Sequence, residues 1–381
     1  MAAGSPTDLR LPALCAGALL VLACGHSDPF TTPPYGSDRP FDPAPPVRLT
    51  LNQDSDREPS WLPDGSAILY SAAESGRKDA DVCLAVLPAG GGSQQRLVCD
   101  LSPRGGDSTN AIESAVVSAG GRLAFAKHGS VIDAVGPSHQ AITVGTLSDV
   151  AAAAEIQSLP YTIPGETRHQ VLTVLRWTGD DRLAFVGGAV VYRPPCNGCA
   201  PDTIATGLKV AVLDLSAESP APVAIPATDF ASGVSGGATA DELYYTIGGD
   251  SRVFRRMLSS GTVDVVHDFG PAGIARDVHV VGDRLVAVVG GRVIFGIDPD
   301  LGPTQWDSGG VVHLLDLDSG GDVALEGPGL FRRPALAPAG DRVVAEGYPL
   351  IITDTIDPIT GLPAKDTTVA RAGDLYLFAT P

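Results

Sequence analysis

Short runs of alternating apolar and polar positions recur along this chain, and each run follows a turn. The clearest is Glu58–Tyr70, E-P-S-W-L-P-D-G-S-A-I-L-Y, where a Pro-Asp-Gly turn leads into a strand with Ile68 and Tyr70 in phase. Weaker copies stand at Val117–Phe125, Trp177–Phe185, Gly237–Tyr245, Val280–Ala287 and Leu336–Ala345. A period of two predicts strands, with the turn residues joining consecutive ones. Each copy is followed by another strand ending in a turn: Val82–Leu87, Ala141–Leu147, Lys209–Leu215, Arg252–Leu258, Val311–Leu317 and Asp374–Ala379. A shorter fourth strand usually comes next, as at Gln95–Cys99 and Val263–His267. No segment of helical period competes.

Four antiparallel strands per repeat predict an all-β fold, a β-propeller with four-stranded blades. Six blades over 46–381 give about 56 residues each. The alternative of seven blades needs a further strand set within 285–343, where Arg292–Ile297 is the spare candidate. The last repeat is one strand short, and Val47–Leu51 has no blade of its own. Pairing Val47–Leu51 with Asp374–Ala379 would close the ring and remove two exposed edges.

Composition changes the picture in two places. With 45 Gly, 32 Pro and 44% hydrophobic residues, the chain is loop-rich but too apolar for disorder. A net charge of −18 argues against nucleic acid and against electrostatic attachment to anionic membranes. The N-terminal segment is a targeting signal. Arg10 precedes the apolar run Leu11–Ala23, too short to span a bilayer and right for a secretory h-region. The ending Leu20-Val21-Leu22-Ala23-Cys24 resembles the bacterial lipoprotein signal, which implies removal of 1–23 and lipid on Cys24. Residues 24–45 are Pro-rich and without period, an expected disordered tether reaching at most about 65 Å.

The phrase Pro59-Ser60-Trp61-Leu62-Pro63-Asp64-Gly65 followed by an apolar strand resembles the propeller repeat of TolB and related periplasmic proteins. The resemblance spans 46–381 and is close in the first copy. It implies a propeller without the α/β domain that precedes it in TolB. The same repeat occurs in prolyl-oligopeptidase-type peptidases, here without their hydrolase domain.

The connections after the second strand are long at Gly187–Gly207, Gly290–Gly310 and Gly347–Gly373, and strand alternation puts all three on one face. Long loops on a rigid scaffold commonly carry binding. Tyr192, Arg193, Trp306, Tyr348 and Asp366 are the candidate binding-face residues. Asp277 and His279 alternate on an inner strand and are candidate channel-lining groups. Cys83 and Cys99 flank a hairpin centred on Gly91, so they would pair as a disulfide in an oxidising compartment. Cys196 and Cys199 form a C-x-x-C expected as a local disulfide. No second such pair or following His supports zinc or haem. Gly233–Gly237 matches G-x-S-x-G by letter but lacks the strand–turn–helix setting of a nucleophile elbow. No metal spacing is present, and neither a catalytic set nor a cofactor is expected.

These readings lead to an exported, lipid-anchored, non-catalytic propeller in the bacterial envelope. It is expected to be a monomer that binds a protein, peptide or glycan partner through the long-loop face. The alternative is a propeller hydrolase, lactonase-like or cyclotransferase-like, acting at the channel mouth.

Overall fold

The computed structural model describes residues 46–51, 55–73, 82–99, 108–131, 137–159, 161–162, 167–171, 173–193, 202–271, 273–290, 293–298, 302–307, 309–356, 361–369 and 373–381. The expected signal and tether, Cys24, Cys196 and Cys199 lie outside the described residues.

The described chain is all-β, and antiparallel four-stranded sheets dominate it. Asp56–Trp61, Ala67–Ala73, Val82–Pro88 and Gln95–Val98 make one sheet in chain order. Ser108–Val117, Arg122–Val131, Pro137–Thr146 and Asp149–Leu159 make the next, touching the first through the parallel pair Val82↔Ala111. A third is built on Arg182–Arg193 and Asp202–Asp214; Thr167–Val171 and Arg176–Trp177 both pair with the former strand, and Pro222–Ala224 flanks the latter. Ala231–Gly236, Glu242–Ile247, Arg252–Met257 and Val263–Asp268 follow. Then come Ala275–Val281, Arg284–Val289, Val311–Asp316 and Asp322–Leu325.

The closing sheet runs Gly329–Leu336, Arg342–Ile356, Asp374–Ala379 and finally Val47–Arg48 from the other end of the chain. Val47 pairs with Leu377 and Arg48 with Tyr376. The regular strand is shorter than the expected Val47–Leu51; one backbone bond and two side-chain bonds continue the contact. The Leu49 N–H donates to Leu375 O at 2.7 Å, the Leu375 N–H donates to Thr50 Oγ1 at 2.9 Å, and Arg48 pairs with Asp374.

The period-two pattern places the core between sheets. Leu69, Leu84, Ile112, Leu123 and Phe125 join the first two. Trp61, Tyr70, Leu87, Ala335, Val344 and Leu375 join the closing sheet to the first, with Leu49 among them. Each fully buried Leu, Ile or Phe contributes about 1.5–3 kcal/mol. The first strands pack in succession, 56–61 on 108–117 and so on, and 329–336 packs back on 56–61.

The repeated phrase does three local jobs. Asp64 Oδ1 accepts from the Ser66 N–H at 3.0 Å, fixing the turn, and Gly65 takes the positive φ of +71° that the turn requires. The Trp61 indole donates across the seam to Ala335 O at 3.0 Å, and the Trp177 indole donates likewise to Val116 O at 3.2 Å. Arginines after the turns reach neighbouring sheets: Arg122 to Asp181 at 2.7 Å, and Arg284 to Gly340 O at 2.9 Å.

Among the described residues, the three long connections expected as loops carry paired strands. Arg182–Arg193 and Asp202–Asp214 continue past their sheet as one hairpin. Arg342–Ile356 runs on to pair with Pro363–Val369. Val293–Asp298 and Gly302–Asp307 form a two-stranded hairpin, which takes up Val293–Ile297 of the spare candidate Arg292–Ile297; Arg292 lies outside the described residues. The Arg122–Val131 and Pro137–Thr146 pair is also extended, a feature absent from the sequence reading. Alternating residues satisfy the backbone by pairing wherever two such runs meet.

Candidate functional site

The first strands carry a shared irregularity. Glu58, Ser114, Asp277 and Arg333 all have positive φ, from +47° to +58°. Each lies at a β-bulge, where the register slips between Arg57/Ser60, Glu113/Val116, Arg276/His279 and Arg332/Ala335. A bulge leaves a residue out of the ladder and re-aims its side chain. Left-handed φ at such residues is uncommon and marks a constrained position.

The bulged residues bond to one another around the fold. The Ser114 N–H and Oγ both donate to Glu58 Oε2, and Ser114 Oγ is also 3.2 Å from Thr173 O. The Arg333 N–H donates to Asp277 Oδ2 at 3.2 Å. The Arg333 guanidinium lies 3.3 Å from Glu58 Oε1 and 3.2 Å from Glu346 Oε2. Tyr348 donates its hydroxyl to Glu346 Oε1 at 2.9 Å. At the corresponding place on Ala231–Gly236 stands Gly233, where a Cβ would come 2.6 Å from the Asp277 nitrogen. Only glycine lets these two backbones approach so closely.

Burial sets the charges. It raises the Glu58 carboxyl, with Arg333 pulling against it, and raises Asp277 against the same guanidinium. Burial alone would lower Arg333, but Glu346, Glu58 and Asp277 hold it well above its ordinary value. Arg176, 6% exposed, is pushed down to about 10 by burial. The cavity lined by Thr173, Val174, Arg176, Gly233, Val234, Asp277, Val278 and Arg333 leaves the centre of a water-sized sphere about 10 Å³. That is room for one water.

Asp277 is among the residues lining this small cavity. His279 is spent structurally: its Nδ1 accepts the Leu336 N–H at 2.9 Å, and burial, then Arg176, hold its pKa well below the usual imidazole range. Glu58, Arg176, Arg333 and Glu346 were missed. Two carry a signal that was available, a charged residue before proline in Glu58-Pro59 and Arg333-Pro334. Ser235 of the G-x-S-x-G letters is buried in a strand, accepts the Val280 N–H at 2.9 Å and donates to Gly236 O.

Tyr348 is a correction to the binding-face reading. It is buried, because it lies on the continued strand Arg342–Ile356 and turns its hydroxyl to Glu346. Tyr192 and Arg193 end the strand Arg182–Arg193 opposite Thr203 and Asp202. Trp306 stands opposite Ile294, and Asp366 opposite Thr353. All these extensions leave their sheets between the second and third strands, hence from one edge. Exposed apolar residues accompany them: Leu350, Ile351, Ile356 and Leu362 on the last extension, and Phe230 and Ile274 on sheet-to-sheet links at that edge. Where Glu242–Ile247 turns tightly into Arg252–Met257, a shallow cleft of about 460 Å³ is lined by Ile247, Asp250, Arg252, Pro271 and Ile274, among others. Cys83 and Cys99 are disulfide-bonded.

No protein-family model and no curated protein sequence matches the chain. Solved structures do match in fold. A gluconolactonase from Xanthomonas campestris aligns with a TM-score of 0.51 at 15% identity, covering 88% of this chain and 89% of that one. Regucalcin from Agrobacterium tumefaciens, a calcium-binding protein, aligns at 0.50 and 11%, covering 88% and 93%. A protein assigned to TolB from the same organism aligns at 0.47 and 14%, covering 87% and 93%. The chain thus has a distant structural likeness to β-propeller proteins, and at these identities the likeness concerns the fold alone.

Proposed function

We propose that this chain is a six-bladed, TolB-like propeller that binds a protein, peptide or glycan partner through the edge carrying the extended hairpins, and that it is not an enzyme. The supporting observation is the contrast between the two places where a ligand could act. The axis is filled by Arg176, Arg333, Glu58, Glu346 and Asp277, with room for one water. The hairpin edge exposes Leu350, Ile351, Ile356 and Leu362 on a rigid frame. Arg333, Glu58, Glu346 and Asp277 are already engaged with one another, and groups so engaged are poor candidates for turning over a substrate, which speaks against a hydrolase at the channel mouth.

The N-terminal signal supports export, with lipid on Cys24 in the cell envelope. Cys24→Ser should then leave an unprocessed or released protein. Persistence of the processed variant in membranes would end the lipoprotein reading. The binding reading is tested by replacing 350–369 with a short Gly-Ser turn and measuring capture of envelope proteins, peptides and glycans. Partners retained by the wild type and lost by the variant are expected. An unchanged set would remove this edge from consideration, and turnover of lactone substrates that is lost in Glu58→Gln would favour the hydrolase.

A further inference from the structure

Arg176 is a buried cation whose donors are poorly used. Its Nη2 donates to Pro334 O at a long 3.4 Å, and its Nε has no hydrogen-bond partner among the described residues. A guanidinium has five donors and stays charged. A buried donor left unpaired costs free energy, and native structures resolve such cases with a water or an ion.

The carboxylates that attract Arg176 do not touch it. Glu58 is engaged by Arg333 and Ser114, and Asp277 accepts the Arg333 N–H. Both act on Arg176 through space, and their pull does not offset its desolvation. Arg176 lines the axial cavity together with Thr173, Gly233, Val234, Asp277 and Arg333. His279, on the next strand, is held neutral and offers no competing charge.

We propose that the axial cavity is a binding site for one monoatomic anion, chloride in practice, held by the Arg176 guanidinium. Size sets the class. The space suits one sphere near the size of water, which excludes phosphate, sulfate and carboxylate ligands. Charge sets the sign, because two arginines, Arg176 with an unused donor and Arg333, line the cavity against one carboxylate, Asp277, whose Oδ2 already accepts the Arg333 N–H. This inference does not depend on the partner-binding reading.

The test uses the folded mature protein with bromide in place of chloride. Anomalous scattering should place one bromide in contact with Arg176. Thermal unfolding in sodium chloride should lie about 2 °C above that in sodium isethionate at equal ionic strength. That difference should vanish in Arg176→Met. A water with no anomalous signal at Arg176 would overturn the proposal, as would a chloride response of equal size in the variant. If Arg176→Met does not fold, the bromide position in the wild type decides alone.

Discussion

The Arg333 guanidinium spans the junction between the last and first sheets, 3.3 Å from Glu58 Oε1, while its own sheet supplies Glu346 at 3.2 Å. One cation thus serves two carboxylates that burial would otherwise penalise. Glu346 is fully buried and Glu58 nearly so. The pair lies at the same seam as the Trp61 bond to Ala335.

Arg333→Met should therefore be severely destabilising. It leaves two buried carboxylates without their cation, and breaking such a pair costs about 3–5 kcal/mol. The lower end applies, since Arg333 keeps 22% of its side-chain surface exposed. Urea unfolding should show the loss, and adding Glu58→Gln and Glu346→Gln to the same chain should recover part of it. A loss within experimental error would mean that the network contributes nothing to ring closure.

The strands and their closure were legible in the sequence because both rest on local rules. Alternation in Ile68–Tyr70 and the turn at Asp64–Gly65 are nearest-neighbour effects, and the unpaired Val47 segment was found by counting strands. The axial network was not legible. It depends on bulges that rotate Glu58, Asp277 and Arg333 out of the period-two pattern, and only the tertiary fold brings residues 58, 277 and 333 together. The extensions were misread for a related reason. Glycines at 187, 290 and 347 suggested loops, but Val191↔Ile204 and Ile351↔Thr368 pair as strands because each run meets a complementary one. Tyr348 followed that error, being placed on a loop when its strand continues.

His279 gives a pH signature with a definite sign. In the unfolded chain its imidazole titrates near about 6.5. In the fold, burial and then Arg176 keep it well below that value. The unfolded state takes up a proton that the folded state refuses, so this residue removes stability as pH falls through about 6.5. His279→Gln keeps an acceptor for the Leu336 N–H and removes the proton uptake. The variant should gain on the wild type as pH drops from 7.5 to 5. Glu58 and Asp277, raised by burial, act in the opposite sense, losing stability as pH rises, but they are common to both proteins. Parallel stability curves for the two proteins would exclude this role for His279.

The cysteines separate by experiment. Cys83–Cys99 closes a short loop within one sheet, with a sequence separation of 16. A loop of that length stabilises by about 3 kcal/mol through the unfolded chain. Cys83→Ser with Cys99→Ser should lower the unfolding midpoint while leaving partner capture intact. Thiol titration of the denatured, unreduced mature protein should find Cys196 and Cys199 oxidised as well. Two free thiols that recover only on metal removal would assign that pair to metal binding.

Ring closure carries the largest consequence. Val47–Arg48 pairs with Asp374–Ala379, Leu49 enters the core beside Trp61 and Leu375, and Thr50 receives the Leu375 N–H. These contacts join the two ends of the propeller without a covalent bond. Losing them exposes the edge of Asp374–Ala379 and opens the apolar layer shared with Asp56–Trp61, and an opened edge weakens both neighbours. Deleting 46–51 should therefore abolish the cooperative unfolding transition of the whole domain. Leu49→Asp should be a graded version, losing about 2–5 kcal/mol as large-to-small core changes do, with a further cost for the buried charge. Hydrogen exchange tells a global from a local effect. Protection should fall together in Asp374–Ala379, Asp56–Trp61 and the distant Glu242–Ile247 strand. If only Asp374–Ala379 loses protection and the transition stays cooperative, the N-terminal strand is an ornament on a ring that holds without it.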